Sequence, residues 1–201
     1  MSLFNLENQN ESIDNKIVAG LERISQVFKI LLWEKAKNFG LSPIQIQVLI
    51  FIQYHTPEKS TISYLAKEFN VTKATLSDVI KSLEQKKLIE KKSDTVDTRS
   101  YTVALTIEGL KLVQETEDYA DPLVKNIASF TEENKVVIWD SISTIIRQCS
   151  QAGIISVQRT CYNCQHYSYN NQIHFCKLLN SPLEIENIRI DCPEFLTFKK
   201  S

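Results

Sequence analysis

The chain has 201 residues, 43% of them hydrophobic and 23% charged, with a formal net charge of -1 and a pI near 6.3. That composition supports a folded core with one domain and an appendage, and it excludes a disordered or fibrous chain. A near-neutral balance also excludes attraction to nucleic acid by overall charge, so any such binding has to come from a local basic patch.

The opening MSLFNLENQNESID has no basic start followed by an apolar run, so it does not read as an export signal. The longest apolar runs, such as VLIFI at 48–52, fall far short of the roughly 20 residues a bilayer span needs, and a cytoplasmic protein with no membrane anchor is expected. From Ile13 to Lys37 the apolar residues Ile17, Leu21, Ile24, Phe28 and Leu31 recur at steps of four and three, which predicts a helix with one apolar seam. Ser42-Pro43-Ile44-Gln45 supplies an N-cap, a proline at the first helical position and a glutamine at the third, and so begins a second helix running to about Tyr54.

Thr61 caps a third, short helix whose Ile62, Leu65, Ala66 and Phe69 share a face, and Asn70 suits the left-handed turn at its end. The next helix begins at Thr72 and buries Leu76, Val79, Ile80 and Leu83, leaving Lys73, Ala74, Ser77, Asp78 and Lys81 on the other side. LIEKKS at 88–93 and YTVALT at 101–106 read as two strands joined by the polar loop Asp94 to Ser100. A short helix, a tight turn, a second helix and a β-hairpin make a winged helix.

Further helices are predicted from Ile107 to about Phe130, interrupted near Asp121-Pro122, and from Thr131 to about Gln151. The last carries a second seam of Ile138, Ile142, Ile145 and Cys149. Two seamed helices flanking a compact middle imply a homodimer, because a twofold pairing is the commonest way to bury such stripes. The expected organisation is mainly α: an N-terminal dimerisation helix at 1–40, a winged helix-turn-helix at 41–106, C-terminal dimerisation helices at 107–155 and a four-cysteine segment at 156–201.

LSPIQIQVL at 41–49, TISYLAKEFNVTKATLSDVIKSLEQKKLIEKK at 61–92, the wing motif Asp97-Thr98-Arg99-Ser100 and LTIEG at 105–109 are continuous in order and spacing. On these residues the chain resembles the MarR family of bacterial transcription regulators, over roughly a third of its length. The resemblance implies a dimeric DNA-binding regulator, a repressor by the family's habit, with Arg99 at the wing tip touching the minor groove or backbone and Asp97 bracing the wing. It also implies a small-molecule effector between the dimerisation helices and the DNA-binding lobe, where Trp33, Tyr54 and His55 are placed to line a cleft. The chain departs from the family at Lys87, where a glycine usually ends the recognition helix, so a local change in helix termination is expected. It departs again at Lys91 and Thr98, where arginine is frequent and where a weaker grip on phosphate follows.

In a helix-turn-helix the second helix enters the major groove, and its N-terminal residues meet base edges. Thr72, Thr75 and Ser77 are suited to bond phosphates or bases, Ala74 to touch a thymine methyl, and Lys73 and Lys81 to meet phosphate or guanine. Asp78 tolerates the groove only by pairing with a neighbour or a cytosine amino group. Taken alone, these residues read as a solvated helix face; the adjoining hairpin and Arg99 reverse that in favour of double-stranded DNA as the partner, and a symmetric dimer would read a pseudo-palindrome.

Cys161, Cys164, Cys176 and Cys192 follow the spacing C-x2-C-x11-C-x15-C. The x2 step lets two sulfurs face one ion, a hairpin turning at Asn170-Asn171 would bring Cys176 alongside, and Ser181-Pro182-Leu183-Glu184 reads as a capping box that returns the chain to Cys192. A segment of about forty residues is too small for a core of its own, so a metal that supplies folding energy is expected. Zinc is the first assignment and an iron-sulfur cluster the rival, with a redox or metal response as the alternative function. His166 and His174 are spare donors, and Cys149 reads as packing or as a sensor thiol. Two other functions compete: a thiol-exchange enzyme built on Cys161 and Cys164, and a protein-interaction module. No thioredoxin-like βαβ pattern surrounds the cysteine pair, and no catalytic serine arrangement, P-loop or dinucleotide glycine pattern occurs, so an enzyme is not expected.

Overall fold

The computed structural model describes residues 4–93, 101–155 and 158–197. They group into two compact units, one drawn from residues up to Tyr54, Val79–Lys92 and Val103–Val124, the other from His55–Asp78, Ser93–Thr102 and Lys125 onward. No helix among the described residues is long and apolar enough to cross a membrane.

In the first unit a short helix α1 (Leu6–Glu11), capped by the Asn5 side chain, leads into the long helix α2 (Ile13–Asn38), capped by Ser12. The apolar seam of α2 faces outward at Ile17, Leu21, Ile24 and Phe28, while Leu32 and Ala36 turn inward. They pack with Ile46 of α3 (Pro43–Tyr54), with Leu41, Ile50 and Tyr119 around them. Helix α3 is buried on most sides, and its fully enclosed Ile46, Val48 and Leu49 contribute about 1.5–3 kcal/mol apiece against exposure. Its one buried amide is satisfied at both ends: Gln45 Oε1 accepts the Ser42 N–H at 2.9 Å, and Gln45 Nε2 donates to Ser82 Oγ at 2.9 Å. The first bond is the return half of the cap expected from Ser-Pro-Ile-Gln.

Helix α4 (Ile62–Glu68) begins at Thr61, whose hydroxyl accepts the Tyr64 N–H, and ends through Asn70 at φ 52°. Helix α5 (Lys73–Gln85) follows after a short turn. Its end corrects one expectation. Lys87 adopts φ 59°, its N–H donates to the Glu84 carbonyl and the Leu88 N–H to that of Leu83, so the helix closes as it would on a glycine. Thr106 holds the turn, donating its hydroxyl to the Lys87 carbonyl at 2.7 Å and its N–H to that of Leu88. Strands β1 (Ile89–Ser93) and β2 (Tyr101–Leu105) form a two-stranded sheet. The loop with Asp97 and Arg99 lies outside the described residues.

Helix α6 (Ile107–Thr116) is capped by Thr106, a 3-10 turn spans Glu117–Ala120, and α7 (Asp121–Ala128) follows, so the interruption begins a few residues before Asp121-Pro122. Helix α8 (Glu132–Gln151) starts on the Thr131 cap. The tail forms an antiparallel sheet of β3 (Tyr167–Asn170), β4 (Ile173–Cys176) and β5 (Ser181–Leu183) in that order. Two expectations are corrected here. The hairpin turns on Asn171 and Gln172, at φ 51° and 64°, one residue later than Asn170-Asn171. Ser181-Pro182-Leu183 is a strand rather than a cap, since Pro182 opposite Phe175 sits on an edge where its missing N–H costs no ladder bond. The 3-10 turn Ile185–Asn187 comes only after Glu184.

Candidate functional site

Thr72, Lys73, Ala74, Thr75, Ser77, Asp78 and Lys81 are all exposed along α5, while Leu76, Val79, Ile80 and Leu83 are buried. The 3.6-residue period accounts for that division, because the apolar residues recur at three and four. Several of the hydroxyls already have local work. Thr72 Oγ1 accepts the Thr75 N–H at 3.0 Å and shares a bond of 2.9 Å with Thr75 Oγ1, so it is an N-cap. Ser77 donates to the Lys73 carbonyl at 2.7 Å. Lys73, Ala74 and Lys81 present the cationic and apolar tips of the face. In the adjoining strand Lys91 pairs with Glu84 at 2.6 Å and Lys92 with Glu90 at 2.7 Å.

Residues 161–197 build the cysteine site. Cys161 to Cys164 is a tight turn in which the Cys164 N–H donates to the Cys161 carbonyl at 3.0 Å, and the Arg189 N–H donates to Cys161 Sγ at 3.3 Å. Cys176 ends β4 opposite Tyr167, and the Cys192 N–H donates to the Arg159 carbonyl at 3.0 Å. All four cysteines, with His166 and Tyr167, line one cavity of about 30 Å³. A neighbouring cavity of about 400 Å³ shares Cys161, Cys176 and Cys192 and is walled by Leu178, Leu179 and Leu183. As they stand, no three histidine, cysteine or acidic side chains among the described residues close to the spacing of a metal centre. Burial, with the neighbouring thiols adding to it, pushes the Cys161 thiol above its ordinary pKa against the opposing Arg189 N–H. Burial also raises Tyr167 to about 12. Tyr167 shares a 2.6 Å hydrogen bond with His174 Nδ1, so His174 is held in an aromatic cluster with Tyr169 rather than among the thiols. Cys149 is half-buried on α8.

Sequence reasoning missed Arg159, which is only 5% exposed. Its Nε and Nη2 donate to the two oxygens of Asp191 at 2.6 Å each. Its Nη1 and Nη2 donate to the two oxygens of Glu68 at 2.6 and 3.1 Å, and Nη1 also donates to the Tyr64 hydroxyl at 3.0 Å. All five guanidinium protons therefore have an acceptor, which a lysine could not reproduce. His55 Nε2 lies 3.0 Å from Asp191. Burial works against the Arg159 charge, but the bonds to Asp191 and Glu68 more than offset it and raise its pKa. Burial likewise opposes ionisation of Asp191, and the Arg159 and His55 bonds outweigh it, holding that carboxyl below its usual value. A partial signal was present in sequence: Arg159 stands two residues before Cys161 and Asp191 one before Cys192, so joining the cysteines joins this pair. That Tyr64 and Glu68 receive it from α4 was not readable.

Of Trp33, Tyr54 and His55, the residues expected to line an effector cleft, Trp33 borders a cavity. That cavity, of about 580 Å³ beside α2, is also lined by Phe28, Lys29, Leu32 and Tyr119. Tyr54 and His55 do not line it: Tyr54 hydrogen-bonds Glu117, and His55 belongs to the Arg159 cluster.

The helix, turn, helix and two-stranded sheet define a winged-helix protein. The MarR family model matches residues 39–100. Among solved structures, the S. aureus MepR–DNA complex is similar at 26% identity with a TM-score of 0.58, covering 65% of this chain and 96% of that one. S. aureus MepR in its DNA-binding conformation gives 26% identity and a TM-score of 0.58 over 66% of this chain and 97% of that chain. MepR described as a transcription regulator of the S. aureus multidrug efflux pump MepA gives 24% and 0.51 over 64% and 94%. No curated protein matches.

Proposed function

We propose that this chain is a homodimeric, sequence-specific DNA-binding transcription regulator of the MarR type, acting as a repressor, whose tail holds zinc on Cys161, Cys164, Cys176 and Cys192. The observation that carries the DNA reading is the exposed face of α5, with Lys73, Ala74 and Lys81 outward and an unbroken apolar row beneath. The MarR match over residues 39–100 and the likeness to a regulator solved on DNA support it. On this reading α5 enters the major groove while Arg99, by resemblance, clamps alongside from the wing. The outward apolar seam of α2 supports a twofold dimer, since an exposed stripe of this length is costly in water.

The donor set supports zinc: four thiols around one small cavity, two of them on a tight x2 turn, with a backbone N–H directed at one sulfur. Bound zinc would cross-link the tail and supply folding energy to it. Two measurements test the whole. Titrating the full-length protein against duplex fragments from its own upstream region should give a saturable complex that weakens as salt rises. Silence toward every fragment even in dilute buffer would refute the DNA reading. Elemental analysis of anaerobically purified protein should find one zinc per chain in a colourless sample; a brown, oxygen-labile sample reassigns the thiols to an iron-sulfur cluster.

A further inference from the structure

Among the described residues the tail is fastened to helices α8 and α4 of its unit, and to His55 through Asp191. On α8, Trp139 Nε1 donates to the Ile185 carbonyl at 2.9 Å, and the Arg147 guanidinium lies 4.8 Å from the Tyr162 ring centre. On α4, the first helix of the helix-turn-helix, the fastening is Arg159, which grips Glu68 and Tyr64 on one side and Asp191 on the other. The backbone around Arg159 belongs to the cysteine site itself. Its carbonyl receives the Cys192 N–H, and the Cys161 N–H goes to the Arg189 carbonyl, so residues 159–161 and 189–192 are laced together beside the thiols.

We infer that the occupancy of the four-cysteine site controls DNA binding through Arg159, which transmits it to helix α4. The inference rests on the metal and DNA readings above and adds the link between them. Pinning Cys161 and Cys192 to one ion fixes the laced segment. That sets Asp191 and the Arg159 backbone, and the guanidinium then holds Glu68 and Tyr64 through a doubly forked geometry that tolerates little displacement. Helix α4 has only seven residues and cannot hold itself by backbone bonds alone. Without the ion the short tail lacks the core to stay folded. Glu68 then loses a nearly buried cationic partner, and the scaffold next to the recognition helix loosens. Zinc is therefore a co-activator of DNA binding, and its removal lowers affinity.

The test uses the full chain, its operator duplex, and three proteins: wild type, Arg159→Gln, and Glu68→Gln, which leaves the tail untouched should the first variant fold poorly. DNA affinity is measured with zinc bound and after chelation, alongside metal content and amide hydrogen exchange across α4. The expected result is that chelation weakens wild-type binding about tenfold, within the range typical of coupled sites, and speeds exchange in α4. Both variants retain zinc but bind DNA with one affinity in either state. Wild-type affinity that ignores chelation overturns the coupling while leaving the zinc site standing. An equal tenfold loss in wild type and Glu68→Gln overturns Arg159 as the link. A wild type that carries no metal removes the metal reading itself, and the coupling with it.

Discussion

Gly109 sits where no other residue fits. A Cβ there would stand 2.0 Å from the Leu88 carbonyl oxygen, the same atom that accepts the Thr106 N–H, so the clash is with backbone already committed to a bond. Gly109→Ala should therefore cost about 1–3 kcal/mol in denaturant unfolding, despite alanine's better helix propensity. A variant as stable as wild type would mean that the first turn of α6 can slide off the end of α5. The LTIEG motif flagged the position without giving its reason, because the reason is a neighbour twenty-one residues away. Lys87 is the opposite case. Its side chain argues against a left-handed turn, yet the paired bonds to Leu83 and Glu84 and the Thr106 hydroxyl outweigh a strain of about 1 kcal/mol.

Among elements, α5 was the most legible. Its apolar rows repeat at helical spacing, and burial follows them residue by residue. If its outer face meets phosphate, Lys81→Ala should reduce the slope of log affinity against log salt by about one while leaving helical content unchanged. A slope equal to wild type would remove Lys81 from the interface. The tail was legible only in part. The asparagine pair announced a hairpin there, but Ser-Pro-Leu-Glu carries the same letters as a helix cap, and only pairing with β4 decides for a strand. Local propensity placed the turn one residue early and was wrong about what followed, since strand partners are chosen by tertiary contact. The Arg159 cluster was legible only as far as the cysteine spacing joins Arg159 to Asp191, because its acceptors on α4 come from a stretch far away in sequence.

At the scale of the whole molecule, the seam of α2 leaves Ile17, Leu21, Ile24 and Phe28 exposed on one face. If it is the twofold interface, Leu21→Glu should give a monomer by sedimentation at micromolar concentration, with operator affinity down by about 100-fold as the two half-sites lose their tether. A dimer that survives the charge would place the interface elsewhere, with the seam on α8 next in order. The tail was expected as an appendage, and its fastening to α4 and α8 has a practical consequence for anyone trimming the chain. A fragment ending at residue 155 would not be a minimal regulator. It would strip the cover from the Trp139 indole and leave the Glu68 carboxylate without its guanidinium, so the truncated product should be poorly soluble and prone to proteolysis rather than constitutively active.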